Sequence, residues 1–287
     1  MTYEIKIERD DGKTYTFGGS VCTLLGVDGL DSVDSDEFYN DNAMSDGSHY
    51  NGTHINNRVV TVSGKIIRNV SVERQNAVSF FVKSHRYKLY VKYNNRYLYL
   101  GGYEDEDCGV LSFYSSPLQN LNATLTIIAE LTFNQPYLKS VDEFGKDIAA
   151  IQPIFAFPYI DAVMFGGVVA DMPLFAAEVQ IDNDGDVKTK CRVELTATGT
   201  VVNPAIYHGD QYVRLIDTLK LGDKYIIDII NGKIYKNGEN NYKAIDRTSS
   251  FEGMEFEPGT NAISYDADDG RVNLRVVVYY PKLYSGV

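Results

Sequence analysis

Apolar and polar positions alternate with a period of two along most of the chain, the pattern of strands that bury one face. Tyr3, Ile5 and Ile7 alternate with polar neighbours, Asp11-Gly12 supplies a turn, and Tyr15 and Phe17 lie on the return, so the chain opens on a hairpin. Residues 58–68 (RVVTVSGKIIR) read as a strand. Leu89, Val91 and Tyr93 alternate up to Asn94-Asn95, and Tyr97 and Tyr99 alternate away from it, predicting a second hairpin. Leu125, Ile127, Ala129, Leu131 and Phe133 all point one way along a strand that Asn134-Gln135-Pro136 ends, because proline cannot donate to a ladder.

The second half reads as a run of hairpins. Residues 178–181 lead into Asn183-Asp184-Gly185, after which Cys191, Val193, Leu195 and Ala197 alternate. Tyr225, Ile227 and Ile229 run into Asn231-Gly232, with Ile234 beyond it. Val272, Leu274, Val276 and Val278 form a last strand before Pro281, and this strand could pair back onto the first half.

One segment has helical spacing. Ser71 can cap a first turn, Glu73 suits the positive end of the dipole, and Ala77, Val78, Phe81 and Val82 build an apolar stripe, predicting a helix over 72–84. Residues 31–57 have no apolar period and are rich in Asp, Asn, Ser and Gly, so they read as a long loop or extended arm. Phe38, Tyr39 and Tyr50 within it have two readings that stand side by side: local packing of the loop, or a subunit interface. Between 134 and 158 the pattern is irregular, with Pro136, Pro153 and Pro158 and one short helix expected over 141–150; this is the expected boundary. The fold class is all-β with one helix, as two β-sandwich domains over 1–140 and 150–287.

The 287 residues accommodate two domains at about 150 residues each. A net charge of −12 opposes specific nucleic-acid binding and attraction to an anionic membrane. Cys22, Cys108 and Cys191 form no CxxC pair and read as reduced thiols. The opening residues MTYEIKIERDDGK hold no apolar signal segment, so folding in a cytosol is expected, and no apolar stretch approaches a membrane span.

Candidate chemistry is sparse. The sequence carries no phosphate loop, G-x-S-x-G elbow or H-E-x-x-H, so no catalytic residue, cofactor or metal is assigned. His49 and His54 are close only within the polar arm. Residues 182–186 (DNDGD) begin like a calcium loop, but Val187 and Val193 stand where a glycine and a bidentate glutamate are required, so a tight turn is expected. The acidic run at 104–107 reads as a solvated turn.

Several stretches resemble one family, the siphophage tail proteins that include the distal tail protein. They are LTFNQPYL at 131–138, IDNDGDVKTKCRVELTATGTVVNPAIY at 181–207, LKLGDKYIIDIINGKIYKNGEN at 219–240, FEPGTNAISYDADDG at 256–270 and the ending YYPKLYSGV. The stretches follow the family's order, while residues 31–57 fit only in outline. The resemblance implies a structural virion protein of the tail tip, not an enzyme, with an N-terminal sandwich carrying a helix and a C-terminal galectin-like sandwich. It implies a homo-hexameric ring assembled in the bacterial host cytoplasm. The implied neighbours are the major tail (tube) protein, the tape measure protein, a tail-associated hub or lysin, and receptor-binding proteins.

Two other classes compete. A carbohydrate-binding module suits a galectin-like sandwich, but the chain has no Trp to serve as a sugar platform; a glycan array separates the two. A cell-wall glycosidase or peptidase lacks a nucleophile or metal constellation, and a zymogram tests it. From the charge alone, the purified chain is expected to pass through immobilised duplex DNA at low salt without retention; salt-reversible retention would show a basic surface able to grip a polyanion.

Overall fold

The alternation is realised as sheets that bury one face each. The structure, a computed structural model, describes residues 4–41, 46–93, 96–102, 108–115, 124–141, 144–147, 151–153, 171–173 and 179–287. The Asn94-Asn95 turn and the acidic run at 104–107 lie outside these residues. In chain order the first strands are β1 (Glu4–Arg9), β2 (Thr14–Phe17), β3 (Cys22–Asp28), β4 (Ser35–Asp41), β5 (Ser48–Ile55) and β6 (Arg58–Ile66). Helix α1 (Val70–Phe80) follows, then β7 (Tyr87–Tyr93), β8 (Arg96–Leu100), β9 (Cys108–Ser115), β10 (Leu125–Phe133) and β11 (Leu138–Ser140). Next come β12 (Phe144–Asp147), β13 (Ile151–Pro153), β14 (Asp171–Pro173), β15 (Val179–Asn183), β16 (Thr189–Lys190), β17 (Arg192–Ala197), β18 (Val201–His208) and β19 (Gln211–Arg214). The last are β20 (Thr218–Leu219), β21 (Lys224–Asp228), β22 (Lys233–Lys236), β23 (Glu239–Asn240), β24 (Glu255–Phe256), β25 (Gly259–Asp269), β26 (Leu274–Tyr280) and β27 (Leu283–Tyr284).

The chain divides into two compact units: Met1–Val141 together with Leu283–Val287, and Asp142–Lys282. The first contains a six-stranded sheet, β2-β1-β7-β8-β11-β27, and a four-stranded sheet, β3-β6-β10-β9. Ile5, Ile7, Leu89 and Val91 on one sheet and Val60, Val62, Ile127 and Leu131 on the other are fully buried in a single core. As expected, β1 pairs with β2 and β7 with β8, and the alternate residues Leu125, Ile127, Ala129, Leu131 and Phe133 of β10 are buried. In β8 the buried positions are Leu98 and Leu100, so Tyr97 and Tyr99 occupy the outer face.

The helix departs from expectation. It spans Val70–Phe80, begins after Asn69 in the left-handed region and has no side-chain N-cap, so Ser71 is not the cap. Its buried residues are Ala77 and Phe80, joined by Phe81 just past its end, while Val78 and Val82 are exposed. The rotation follows from what closes its C-terminus. Arg9, buried at the end of β1, donates from Nη1 to the carbonyls of Ser79 (2.9 Å) and Phe80 (3.2 Å). The Val82 N–H donates to the Tyr87 hydroxyl oxygen (2.8 Å), which also lies 2.8 Å from the Phe80 carbonyl. A cation on the last carbonyls satisfies orphan acceptors and complements the dipole.

The second unit also has two main sheets around one core: β12-β26-β17-β21-β22-β23 and β15-β25-β18-β19. The hairpin at 225–234 forms as expected. The hairpin expected across 178–197 does not: β15 pairs with β25, whereas β17 pairs with β21 and β26 in the other sheet. Asn183 explains the switch. Its buried side chain donates to the carbonyls of Val187 and Phe256 (3.1 Å each) and accepts from the Gly185 N–H (3.1 Å), steering the chain from one sheet to the other. The short helix expected over 141–150 is also corrected. Residues 144–147 form β12 along β26, covering an edge whose backbone groups would otherwise lack ladder partners. Two of the three thiols, Cys22 and Cys191, are free and buried, and burial pushes Cys191 up to about 12. The Cys108 side chain lies outside the description.

The strand ending at Tyr280 stays within the second unit, between β12 and β17. The residues after it return to the first. β27 pairs with β11, the Val287 N–H donates to the Leu30 carbonyl (3.2 Å), and Arg58 donates to the carbonyl of Ser285. Arg58 is almost wholly buried; burial pulls its guanidinium below the ordinary range against the pull of Asp31. Gly286 passes so close to the Asp31 carbonyl that an added Cβ would lie 2.2 Å from that oxygen. Because the obstacle is backbone, Gly286→Ala is expected to destabilise the first unit by about 1–3 kcal/mol. Chemical denaturation with hydrogen-exchange mass spectrometry checks this: protection should fall in β6, β10 and β11 and hold in β17, β21 and β26.

Candidate functional site

The residues singled out from sequence lie on a strand pair that joins neither main sheet of the first unit. β4 and β5 pair with each other as a separate two-stranded sheet, and every residue of β4 is exposed. The Asn56 N–H donates to the Asp34 carbonyl (2.9 Å) and closes the root. The segment is therefore an extended arm, as one reading expected, but one built as paired strands. Its ladder satisfies backbone groups that a bare loop would leave to water.

Phe38, Tyr39 and Tyr50 are 54%, 53% and 58% exposed. The register places Tyr39 opposite Tyr50, and their rings meet edge to face with centroids 5.7 Å apart. Phe38 lies opposite Gly52, which has no side chain to cover it. The Tyr39 hydroxyl donates to the Glu37 carboxylate, a bond that raises the phenol's pKa, and the Tyr50 hydroxyl meets that of Thr53. Each ring leaves roughly 100 Å² in water, so covering one is worth about 2–3 kcal/mol. His49 and His54 sit across from Asn40 and Asp36.

A second surface escaped the sequence reading. On the outer face of the six-stranded sheet, Tyr90 stacks on Tyr97 (5.9 Å between centroids, 16° between planes) and leans on Tyr99 (6.0 Å). The Lys6 ammonium lies 5.6 Å from the Tyr90 ring centre and that of Lys88 5.7 Å from Tyr99, within cation–π range. The cross-strand register, Lys6 opposite Tyr90 and Tyr90 opposite Tyr99, assembles this floor. Its signal was available as alternate outward positions in 4–8, 88–92 and 97–99, but those positions read as ordinary polar faces until the strands were paired.

The residues of the calcium-like stretch point to separate partners. Asp182 accepts from the Thr260 hydroxyl (2.9 Å), Asp184 pairs with Lys282, and Asn183 serves the turn. Among the described residues no three metal-ligating side chains group together. A polar cluster lies in the second unit: the Tyr225 hydroxyl (2.5 Å) and the Lys236 ammonium (2.7 Å) both donate to Asp217, and Asn241 donates to the Tyr225 oxygen (2.6 Å). These groups tie β21 and β22 to the loop before β20.

Two β-sheet units, one carrying a helix and an exposed arm, define the class: an all-β protein whose distinctive surfaces are broad faces. Residues 184–284 match the family model described as "Siphovirus-type tail component, C-terminal domain". Among solved structures, the chain is similar to the Dit protein of phage SPP1, titled a paradigm of the hub adsorption apparatus in phages infecting Gram-positive bacteria. That similarity has a TM-score of 0.67 at 9% identity and covers 96% of this chain and 98% of that one. It is also similar to chains of the phage P2 baseplate in its activated conformation, with Ca (TM-score 0.52, 10% identity) and with Sr (0.51, 9%), each over 98% of both chains. No curated protein matches the chain in sequence. The chain is thus similar in fold to Dit over 96% of its length, and residues 184–284 of the second unit carry the siphovirus tail-component sequence pattern.

The Asp217 cluster generates a pH dependence. Burial raises the carboxyl, but the bonds from Lys236 and Tyr225 lower it further, for a net pKa below the usual carboxylate range. A depressed acid contributes stability that is present above its unfolded pKa of about 4 and lost as pH falls through the folded value. Thermal melts of the full chain between pH 6 and 2 should show the second unit weakening at the acid end. Asp217→Asn should lower stability near pH 6 and flatten that part of the profile.

Proposed function

We propose that this chain is a structural component of a phage tail tip, a distal tail protein whose first units close into a homo-hexameric ring. In this reading the ring joins the tail tube to the tail-tip hub, and the second units, galectin-like sandwiches, face outward as supports for receptor-binding proteins. The protein assembles in the host cytoplasm and ends in the virion. The observation that carries the reading is the likeness to the SPP1 Dit fold over nearly the whole chain, together with the tail-component match over 184–284.

The surfaces support the same reading. An adaptor needs broad faces with several neighbours, and the chain has an exposed arm and a lysine-tyrosine sheet face in its first unit. Contacts between unlike surfaces of identical chains generate rings when the rotation closes. Burying the arm's aromatics against a neighbour supplies a driving force that the isolated chain lacks.

Light scattering and negative-stain microscopy of the purified full chain test the proposal. Concentration-dependent hexamers seen as six-fold rings are expected. A monomer that persists at hundreds of micromolar, alone and mixed with its tail-tube protein, would overturn it.

A further inference from the structure

We infer that the outer face of β1, β7, β8 and β11 is a binding site for an anionic oligosaccharide. The sugar lies across the strands, its rings on Tyr90, Tyr97 and Tyr99 and its acidic groups at Lys6 and Lys139. The face belongs to the first unit, so a single chain carries the whole site.

The cross-strand register sets the plan. Lys6 lies opposite Tyr90, Tyr90 opposite Tyr99 and Tyr99 opposite Lys139, so one row across four strands reads cation, ring, ring, cation. At the usual strand spacing its two ends are about 14 Å apart. On β7, Lys88 and Lys92 stand to either side of Tyr90 and face Glu8 and Glu4 of β1. The rows that flank the tyrosines are therefore balanced in charge, and the surplus sits at the two ends of the tyrosine row. Four lysines against two glutamates leave +2 on this face, in a chain whose total is −12. Tyr97 extends the floor beside Tyr90 and is 45% exposed.

The chemistry of the face separates one anion from another. A peptide gains affinity by adding a strand at a sheet edge or by seating its side chains in pockets. β1, β7, β8 and β11 each have a neighbour on both sides, so none of them offers an edge. A nucleic-acid strand draws much of its affinity from phosphates in a broad basic field, and this chain is acidic outside a few lysines. A sugar ring needs neither. Its C–H groups lie against the electron-rich face of an aromatic ring, and its hydroxyls can bond the phenols and the carboxylates of Glu4 and Glu8. The chain has no Trp, and the pairing of three strands builds from tyrosines a platform of the kind that tryptophan supplies elsewhere. Ammonium groups already stand at these rings: that of Lys6 is 5.6 Å from the Tyr90 centre and that of Lys88 5.7 Å from Tyr99. An acidic group at the edge of a stacked sugar therefore meets a cation. Exposed ion pairs are individually weak, so stacking holds the sugar and the lysines select the charged one.

Titration of the full chain with tetragalacturonate, followed by calorimetry and by proton NMR of the sugar, tests the site. A dissociation constant of about 1 mM or tighter is expected, with upfield shifts of the sugar C–H protons that lie over the rings. Uncharged maltotetraose should bind about five-fold more weakly, and so should tetragalacturonate on Lys6→Gln/Lys139→Gln. Hexaglutamate and a thymidine hexanucleotide, which carry charge without a sugar face matched to the row, should bind about ten-fold more weakly. Tyr97→Ala/Tyr99→Ala should remove the upfield shifts and about ten-fold of the affinity. If that tyrosine pair fails to fold, the lysine pair, which leaves every ring in place, decides alone. Four results would each overturn the inference: no heat and no shifts at ten times the expected dissociation constant; equal binding of maltotetraose; equal binding of hexaglutamate or the hexanucleotide; or wild-type affinity in Lys6→Gln/Lys139→Gln.

Discussion

Much of this structure depends on the chain crossing between its two units twice. It leaves the first at Val141 and re-enters at Leu283, and β11 and β27, which flank the crossing, are antiparallel neighbours. The second unit is therefore an insertion within a strand pair of the first, with its own ends held close together. This is the geometry in which one domain tolerates another, because closing the insertion's ends adds little entropy cost. The re-entering segment is secured by side chains, Tyr284 and Val287 packing against the first core, and by backbone. Gly286 is needed because the Asp31 carbonyl occupies the space a side chain would fill, and the Arg58 guanidinium is held where a carbonyl of the returning chain can accept from it. That anchorage lies beside the root of the arm, since Leu30 and Asp31 precede β4 and Arg58 begins β6.

Buried polar groups act as directors of the chain elsewhere too. Arg9 and Tyr87 close the helix from the sheet beneath it, and Asn183 turns the chain out of one sheet into the other. The buried Tyr225 and the half-buried Asp217 and Lys236 tie a loop to a hairpin. Each group would be costly if left unbonded in a core. Their bonds therefore admit few alternatives, and each fixes a direction that apolar contacts, which are not directional, leave open.

The separation of roles follows from this layout. Two closed cores give each unit its own stability, which leaves the arm and the outer sheet face under no obligation to pack at home. The proposed adaptor role takes its support from the likeness in fold and from these uncommitted surfaces.

How much of this was legible in advance can be judged residue by residue. Alternation determined the strands themselves: every second residue from Leu125 to Phe133 and from Cys191 to Ala197 is buried as the pattern requires, because a period of two places successive residues on opposite faces whatever the neighbouring strand is. The lack of an apolar period likewise kept the described residues of 31–57 out of the first unit's core. The partners of each strand were not legible. Asn183-Asp184-Gly185 looks like a hairpin turn and is a crossover, and residues 141–150 look helical yet include a strand that covers the edge of β26. The tyrosine floor and the return of Leu283–Val287 were equally hidden. The sequence by itself determined which face of each segment is apolar, since that is a property of neighbouring residues. The tertiary structure decided which segments meet, since pairing is settled by long-range burial and by a few buried hydrogen bonds whose two halves lie far apart in the chain.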